Sequence, residues 1–234
     1  MNNQKIMLIT GSRKGLGRQL SEYYLEQGYK VIGCSRSEAE FKHENYEHFI
    51  TGVSDEKTVK KMFAQIRKRY GRIDVLLNNA GIASMNHFLL TPASTVEKIF
   101  DTNFLGTFLF CREAAKIMKK NKFGRIINFS TVATEFNLEG EAAYVASKAA
   151  VESLTKIIAR ELADDGITVN AIAPSLVKTD LIKNVPPEKL EGIIQRQAIR
   201  RFTEFRDVVN VLDFFIKPES DFISGQVMFL GGVS

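Results

Sequence analysis

Residues 5–20 read KIMLITGSRKGLGRQL. A short apolar run meets a glycine-rich turn and passes straight into a helical pattern, which reads as strand, tight turn and helix. Gly11, Gly15 and Gly17 occupy the turn. Glycine there lets backbone approach a ligand closely and lets the helix N-terminus face a pyrophosphate. The spacing is G-x-x-x-G-x-G rather than the commoner G-x-G-x-x-G.

The same alternation recurs along the chain. KVIGC (30–34), IDVLL (73–77), RIINF (125–129), ITVNAIA (167–173) and QVMFL (226–230) are predicted strands. Residues 16–27, 56–70, 104–120 and 143–163 are predicted helices. The strands are continuously apolar, which suits a parallel sheet covered on both faces. In the second helix Val59, Met62, Phe63, Ile66 and Tyr70 keep one buried face. The expectation is an α/β chain, a doubly wound parallel sheet of the Rossmann type, in a single domain over residues 1–234. Helix 104–120 is apolar around most of its circumference, so more than one side must be covered. The sheet covers one side; a second subunit is expected on the other, with a neighbouring helix of the same chain as the alternative.

Composition narrows the class. Of 234 residues, 44% are hydrophobic and 25% charged, so a full core needs no staples. The net charge of +5 is spread over interleaved acids and bases, and the short runs of Lys and Arg read as solvated helix faces rather than a nucleic-acid surface. Cys34 and Cys111 lack metal or redox spacing, and His43, His48 and His87 are scattered, so no metal site is expected. The N-terminus lacks a signal-peptide pattern and no apolar run reaches membrane-spanning length. A soluble, cytoplasmic protein is expected.

The end of the second strand bears on the cofactor. A carboxylate there would accept hydrogen bonds from both ribose hydroxyls of NAD. The chain instead has Ser35 and Arg36. An arginine can hold an adenosine 2′-phosphate through paired, charge-assisted hydrogen bonds, and Arg13 and Lys14 add charge on the same side. NADP(H) is the expected cofactor. Further on, Tyr144 and Lys148 stand four apart on a helix and share a face. A cation there should lower the phenol pKa from about 10. Such a tyrosine can give a proton to a ketone oxygen or take it back. Ser130 and Thr131 precede this pair, and neighbours at a strand end point to opposite faces, so one hydroxyl is expected to reach the substrate.

TGSRKGLG, NNAG (78–81), Asn103 in DTNFLG, YVASK (144–148), ITVNAIAP (167–174) and SGQVMFLGG follow in order over the whole length. In this the chain resembles the short-chain dehydrogenase/reductase family in its compact form, and 3-oxoacyl-carrier-protein reductases within it. The resemblance implies cofactor contacts from Gly11, Ser12, Arg13, Lys14, Gly15, Leu16 and Gly17, then from Ser35, Arg36 and Val53. Asn79, Ala80 and Gly81 would line the adenosine side; Pro174, Val177 and Thr179 would hold the nicotinamide carboxamide. It gives Tyr144 the acid/base role, Lys148 a second grip on the nicotinamide ribose, and Asn103 a water that relays protons to Lys148. The family's serine stands thirteen residues before the tyrosine, which here is Thr131.

Several positions depart from the family. Gly52 replaces an aspartate near the adenine, and Ser175 replaces the glycine after Pro174. Asp165 stands where carrier-protein reductases carry a basic residue and would repel an acidic carrier, while Lys119, Lys120 and Lys122 would attract it. Residues 83–91, 135–141 and 181–205 should shape the substrate site, the last as a mobile lid. A 3-oxoacyl thioester and a small hydroxylated or sugar-derived metabolite are the two substrate classes. A non-catalytic NADP(H) sensor is the rival, favoured by the Thr131 replacement and opposed by the retention of Tyr144, Lys148 and Asn103.

Overall fold

In β1 (Ile6–Thr10) alternate residues go to opposite faces of the sheet: Ile6 and Leu8 enter one core, Met7 and Ile9 the other. This is the period of two expected of a strand, and it is hidden in the sequence because both faces are buried. The computed structural model describes residues 4–179, 182–183 and 185–233. Its seven strands are β1, β2 (Lys30–Ser35), β3 (Tyr46–Ile50), β4 (Val75–Asn78), β5 (Gly124–Phe129), β6 (Ile167–Ala173) and β7 (Val227–Phe229). They form one sheet in the order β3-β2-β1-β4-β5-β6-β7. Every pairing is parallel.

The helices are α1 (Gly15–Glu26), α2 (Glu56–Tyr70), α3 (Ala93–Phe100), α4 (Gly106–Asn121), α5 (Ala133–Phe136), α6 (Ala142–Glu161), α7 (Pro187–Gln195) and α8 (Phe205–Ile216). One face of the sheet packs with α2, α4 and α6 through Phe63, Phe110 and Ala159; the other packs with α1 and α8 through Leu20, Tyr24 and Leu212. The strand order reverses between β1 and β4, and ligands of such sheets bind outside the strand ends at that point.

Three elements add to the sequence-based expectation. β3 is a half-buried edge strand with residues YEHFI, a pattern without the apolar run that marks the central strands. α8 opens with a capping box, in which the Asp207 carboxylate accepts from the Glu204 N–H at 2.8 Å. The predicted helix 104–120 proves to be the end of a longer rod: α3 passes through a π-helical turn, Asp101–Leu105, into α4.

Most of the apolar circumference of α4 is covered by its own chain rather than by a second subunit. Phe110 packs edge-to-face on Phe63, with ring centroids 5.4 Å apart, and Asn78 donates to the Cys111 sulfur at 3.2 Å. Leu105 and Phe108 remain 37% exposed. Because Phe110 is fully enclosed between α2 and the sheet, Phe110→Ala should cost about 3–5 kcal/mol of stability, seen as a lowered midpoint in urea with the slope unchanged.

Candidate active site

The glycine turn after β1 is built by close contact. Gly11 and Gly15 adopt φ of +71° and +58°, which favour glycine. A Cβ on Gly17 would stand 2.3 Å from the Gly11 carbonyl oxygen and 2.5 Å from Asn79 Nδ2. Asn79 Nδ2 donates to the Thr10 carbonyl at 2.9 Å, and the Ala80 N–H donates to Thr10 Oγ1 at 2.9 Å. The end of β4 is thereby tied to the end of β1, and a cleft of about 760 Å³ opens beyond them.

One end of the cleft is cationic. Arg13, Lys14 and Arg36 line it together with Gly15 and Ser35, and no carboxylate closes β2. Ser35 donates to the Ser37 carbonyl at 2.6 Å and lies 3.1 Å from His48 Nε2. The Ser12 side chain does not belong to the lining. Its hydroxyl is buried beneath β2, 2.9 Å from the Tyr46 hydroxyl, in space that exists only because residue 33 is glycine. Tyr46 and His48 of β3 therefore back this end of the site, a support hidden in the sequence along with the strand itself. Gly11, Leu16, Gly17, Val53, Asn79, Ala80 and Gly81 all border the cleft as expected, and Val53 packs against Gly106.

The other end holds the candidate catalytic side chains. Ser130 and Thr131 follow β5 with their hydroxyls parted: the Thr131 hydroxyl stands near enough to the Tyr144 phenol to lower its pKa, while Ser130 donates to the Glu152 carboxylate. Lys148 Nζ donates to the Phe129 carbonyl at 2.6 Å. Burial pushes Tyr144 up to about 12, opposed by the Thr131 hydrogen bond and assisted by the Glu141 charge. Burial pushes Lys148 down to about 8, opposed by Glu152. In the ligand-free chain the direction is thus opposite to the expected lowering by Lys148, because loss of water outweighs the Thr131 contact and the Glu141 charge adds to the rise. Asn103 lies behind this set, in the π turn, with its side chain committed: Oδ1 accepts from the Ile82 N–H at 2.9 Å and Nδ2 donates to Ser147 Oγ at 3.0 Å.

Pro174, Val177 and Thr179 follow β6 and complete the wall, and Val177 bridges to Thr203. Ser175 is buried in this lining and its hydroxyl has no hydrogen-bond partner among the described residues. A dinucleotide fits the residues present: bare backbone at Gly15 meets open space, an orphan hydroxyl waits at Ser175, and cations stand where a phosphate would lie. The substrate side adds Glu141, Leu138 and Ile193. α7 is docked there, with Ile193 packed on Val132 and Phe136 and Arg196 donating to the Phe136 carbonyl at 2.9 Å. Leu181, the first residue expected in the lid, lies outside the described residues.

Asp165 does not present the free negative charge anticipated for it. Lys119 and Lys122 each reach it at 3.0 Å, so two of the three lysines expected to attract a carrier are engaged within the protein. Among the described residues no cluster suited to a metal ion occurs, and no helix is long and apolar enough to cross a membrane.

With this geometry in place, comparison with known proteins gives the class. The short chain dehydrogenase family model matches residues 5–190, and the chain belongs to that family of oxidoreductases, acting on the CH–OH/C=O pair. It is 34% identical to 3-oxoacyl-acyl-carrier-protein reductase FabG of Staphylococcus aureus, over 99% of this chain and 98% of that protein. Among solved structures, ElxO with NADP bound superposes with a TM-score of 0.88 at 32% identity, covering 97% of each chain. 4-Hydroxyisoleucine dehydrogenase complexed with NADH superposes with a TM-score of 0.86 at 27% identity, covering 99% of each.

The parting of the two hydroxyls leads to a ranking. Thr131→Ala should cut turnover about 10²-fold, the usual loss for one donor to a reacting oxygen, while Ser130→Ala should cost less than about tenfold. Steady-state rates of the two variants check this, and the opposite order would refute the assignment.

Proposed function

We propose that the protein is an NADP(H)-dependent ketone reductase with Tyr144 as its acid, and that a 3-oxoacyl thioester is its leading substrate class. One observation carries the reading: the Thr131–Tyr144 hydroxyl pair stands beside Lys148 in the same cleft that Arg13 and Arg36 line at its far end. Because similar structures hold either NADP or NADH, the choice of cofactor rests on the absence of a carboxylate after β2 and on Arg36. The thioester reading comes from likeness to the Staphylococcus aureus reductase over nearly the whole chain.

NADPH, when bound, supplies the hydride. Thr131 donates a hydrogen bond to the carbonyl oxygen, and Tyr144 delivers its proton there as negative charge develops. The Lys148 ammonium then steadies the phenolate left behind. Asn103 holds the Ile82 segment that borders the site. The cofactor residues have the roles given above, except that Ser12 acts only through its backbone and through Tyr46.

A second reading, a small hydroxylated substrate, is favoured by Glu141. Its carboxyl lines the cleft near Tyr144, burial raises its pKa, and it can accept a hydrogen bond from a substrate hydroxyl. In either case residues 1–234 work as one catalytic unit, with the segment around 181–205 as the lid. The protein acts in the cytoplasm as a homo-oligomer, dimer or tetramer, joined through the exposed apolar side chains Leu105, Phe108 and Ile157.

NADPH oxidation across a panel of ketones, including a 3-oxoacyl thioester and polyhydroxylated ketones, tests the reading. Turnover of the thioester is expected; tight NADPH binding with no turnover of any ketone would point to a sensor instead. Replacing Arg36 by Ala should reduce the preference for NADPH over NADH by about ten- to a hundredfold, the worth of charge-assisted hydrogen bonds. A wild-type preference for NADH would refute the cofactor assignment.

A further inference from the structure

Three hydroxyl-bearing residues crowd the end of β5, and one carboxylate takes the two that do not face Tyr144. Ser130 Oγ and Thr134 Oγ1, the latter at 2.9 Å, both reach the same oxygen, Oε1 of Glu152. These residues flank Thr131, whose hydroxyl meets the Tyr144 phenol and also accepts from the Ala133 N–H at 3.2 Å. Thr134 Oγ1 lies 2.8 Å from the Thr131 carbonyl as well. The loop is therefore gripped on both sides of the hydroxyl that does the work.

Glu152 belongs to α6, one helical turn beyond Lys148 and two beyond Tyr144, so the three side chains share a face. Around Lys148 Nζ the neighbouring elements offer the Phe129 carbonyl from β5, the backbone of Gly81 and the uncharged side chain of Asn103. Tyr144 and Glu152 share its helix face, and Glu152 supplies the charge that acts on it. A neutral side chain could tether the loop equally well. A carboxylate does that and also opposes the loss of a proton from a buried lysine.

We propose that Glu152 is a positioning residue for the reaction: its carboxylate tethers Ser130 and Thr134 so that the Thr131 hydroxyl meets Tyr144, and sets a negative charge against the Lys148 ammonium. This rests on the reading of Thr131, Tyr144 and Lys148 as the reacting set. Nothing in the family motifs points to Glu152, which lies four residues past the last of the YVASK stretch.

The full-length protein tests it with two variants that separate the two duties. Glu152→Gln keeps an oxygen for both hydroxyls but removes the charge; Glu152→Leu removes both. The Lys148 ionisation is followed in the ligand-free protein by 13C NMR of labelled lysines, with the resonance assigned through Lys148→Arg. Glu152→Gln should lower its midpoint by about one pH unit, the scale of an opposite charge nearby, and should keep most of kcat only below that lowered midpoint, moving the alkaline limb of the pH profile with it. Glu152→Leu should lower the midpoint similarly and cut kcat about 10²-fold, as for loss of the Thr131 donor, while KM for NADPH stays near the wild-type value.

If the leucine variant does not fold, Ser130→Ala with Thr134→Val replaces it: kcat should fall at least about tenfold, as for a lost positioning contact, while the Lys148 midpoint holds. An unmoved midpoint in Glu152→Gln, or wild-type kcat in the leucine or double variant, overturns the proposal. Tyr144→Phe run alongside separates the failures. Loss of turnover there, with wild-type behaviour at position 152, defeats only the role of Glu152; retained turnover defeats the reacting set itself.

Discussion

Where α1 leaves the glycine turn, three backbone segments meet too closely for any side chain. A methyl group on Gly17 would lie within 2.5 Å of both the Gly11 carbonyl and the Asn79 amide. That contact brings the first turn of α1 against the ends of β1 and β4, and the hydrogen bonds from Asn79 and Ala80 to Thr10 hold it there. The reversal of strand order at this point opens the crevice; the close approach fixes how wide it is and which backbone faces it. Every later placement, from Arg36 after β2 to Val177 after β6, is measured from that junction.

The two ends of the cleft obey different electrostatics. At the end formed by Arg13, Lys14 and Arg36 the charges are exposed, so water supports them and recognition costs little desolvation. At the other end Lys148 is buried and Tyr144 half-buried in the cleft wall, and loss of water moves each towards its neutral form. Small changes in hydrogen bonding then have large effects on proton affinity, which gives the arrangement of Thr131 and Glu152 its weight.

Much of this was legible in the sequence, for identifiable reasons. The central strands are covered on both faces and so read as unbroken apolar runs, and helix 56–70 shows its single buried face directly. Counting back from Tyr144 picked out the hydroxyl of Thr131 that meets the phenol. β3 escaped because an edge strand is half wet and its residues carry no apolar run. α8 escaped because it lies beyond the segment 181–205 read as a lid, although Glu204 and Asp207 spell a capping box ahead of its apolar residues. The burial of the Ser12 hydroxyl was not legible, because it depends on the bare backbone of Gly33, a strand away, which lets the hydroxyl sink under the sheet. The direction of the Tyr144 shift depends on a balance between burial and charge that residue spacing does not encode.

The edge strand carries one more implication. Tyr46 and His48, which back Ser12 and Ser35, belong to β3, one of the two edge strands, half-buried up to Phe49 and exposed at Ile50. Backbone at such an edge opens more readily than in the enclosed β4 or β5. The residues behind the cationic end of the cleft are therefore mounted on an edge of the sheet, whereas Thr131 and Lys148 are held at the end of the enclosed β5. In evolutionary terms, cofactor preference can drift through changes in β3 that never touch the cleft, while the chemistry stays anchored to the core.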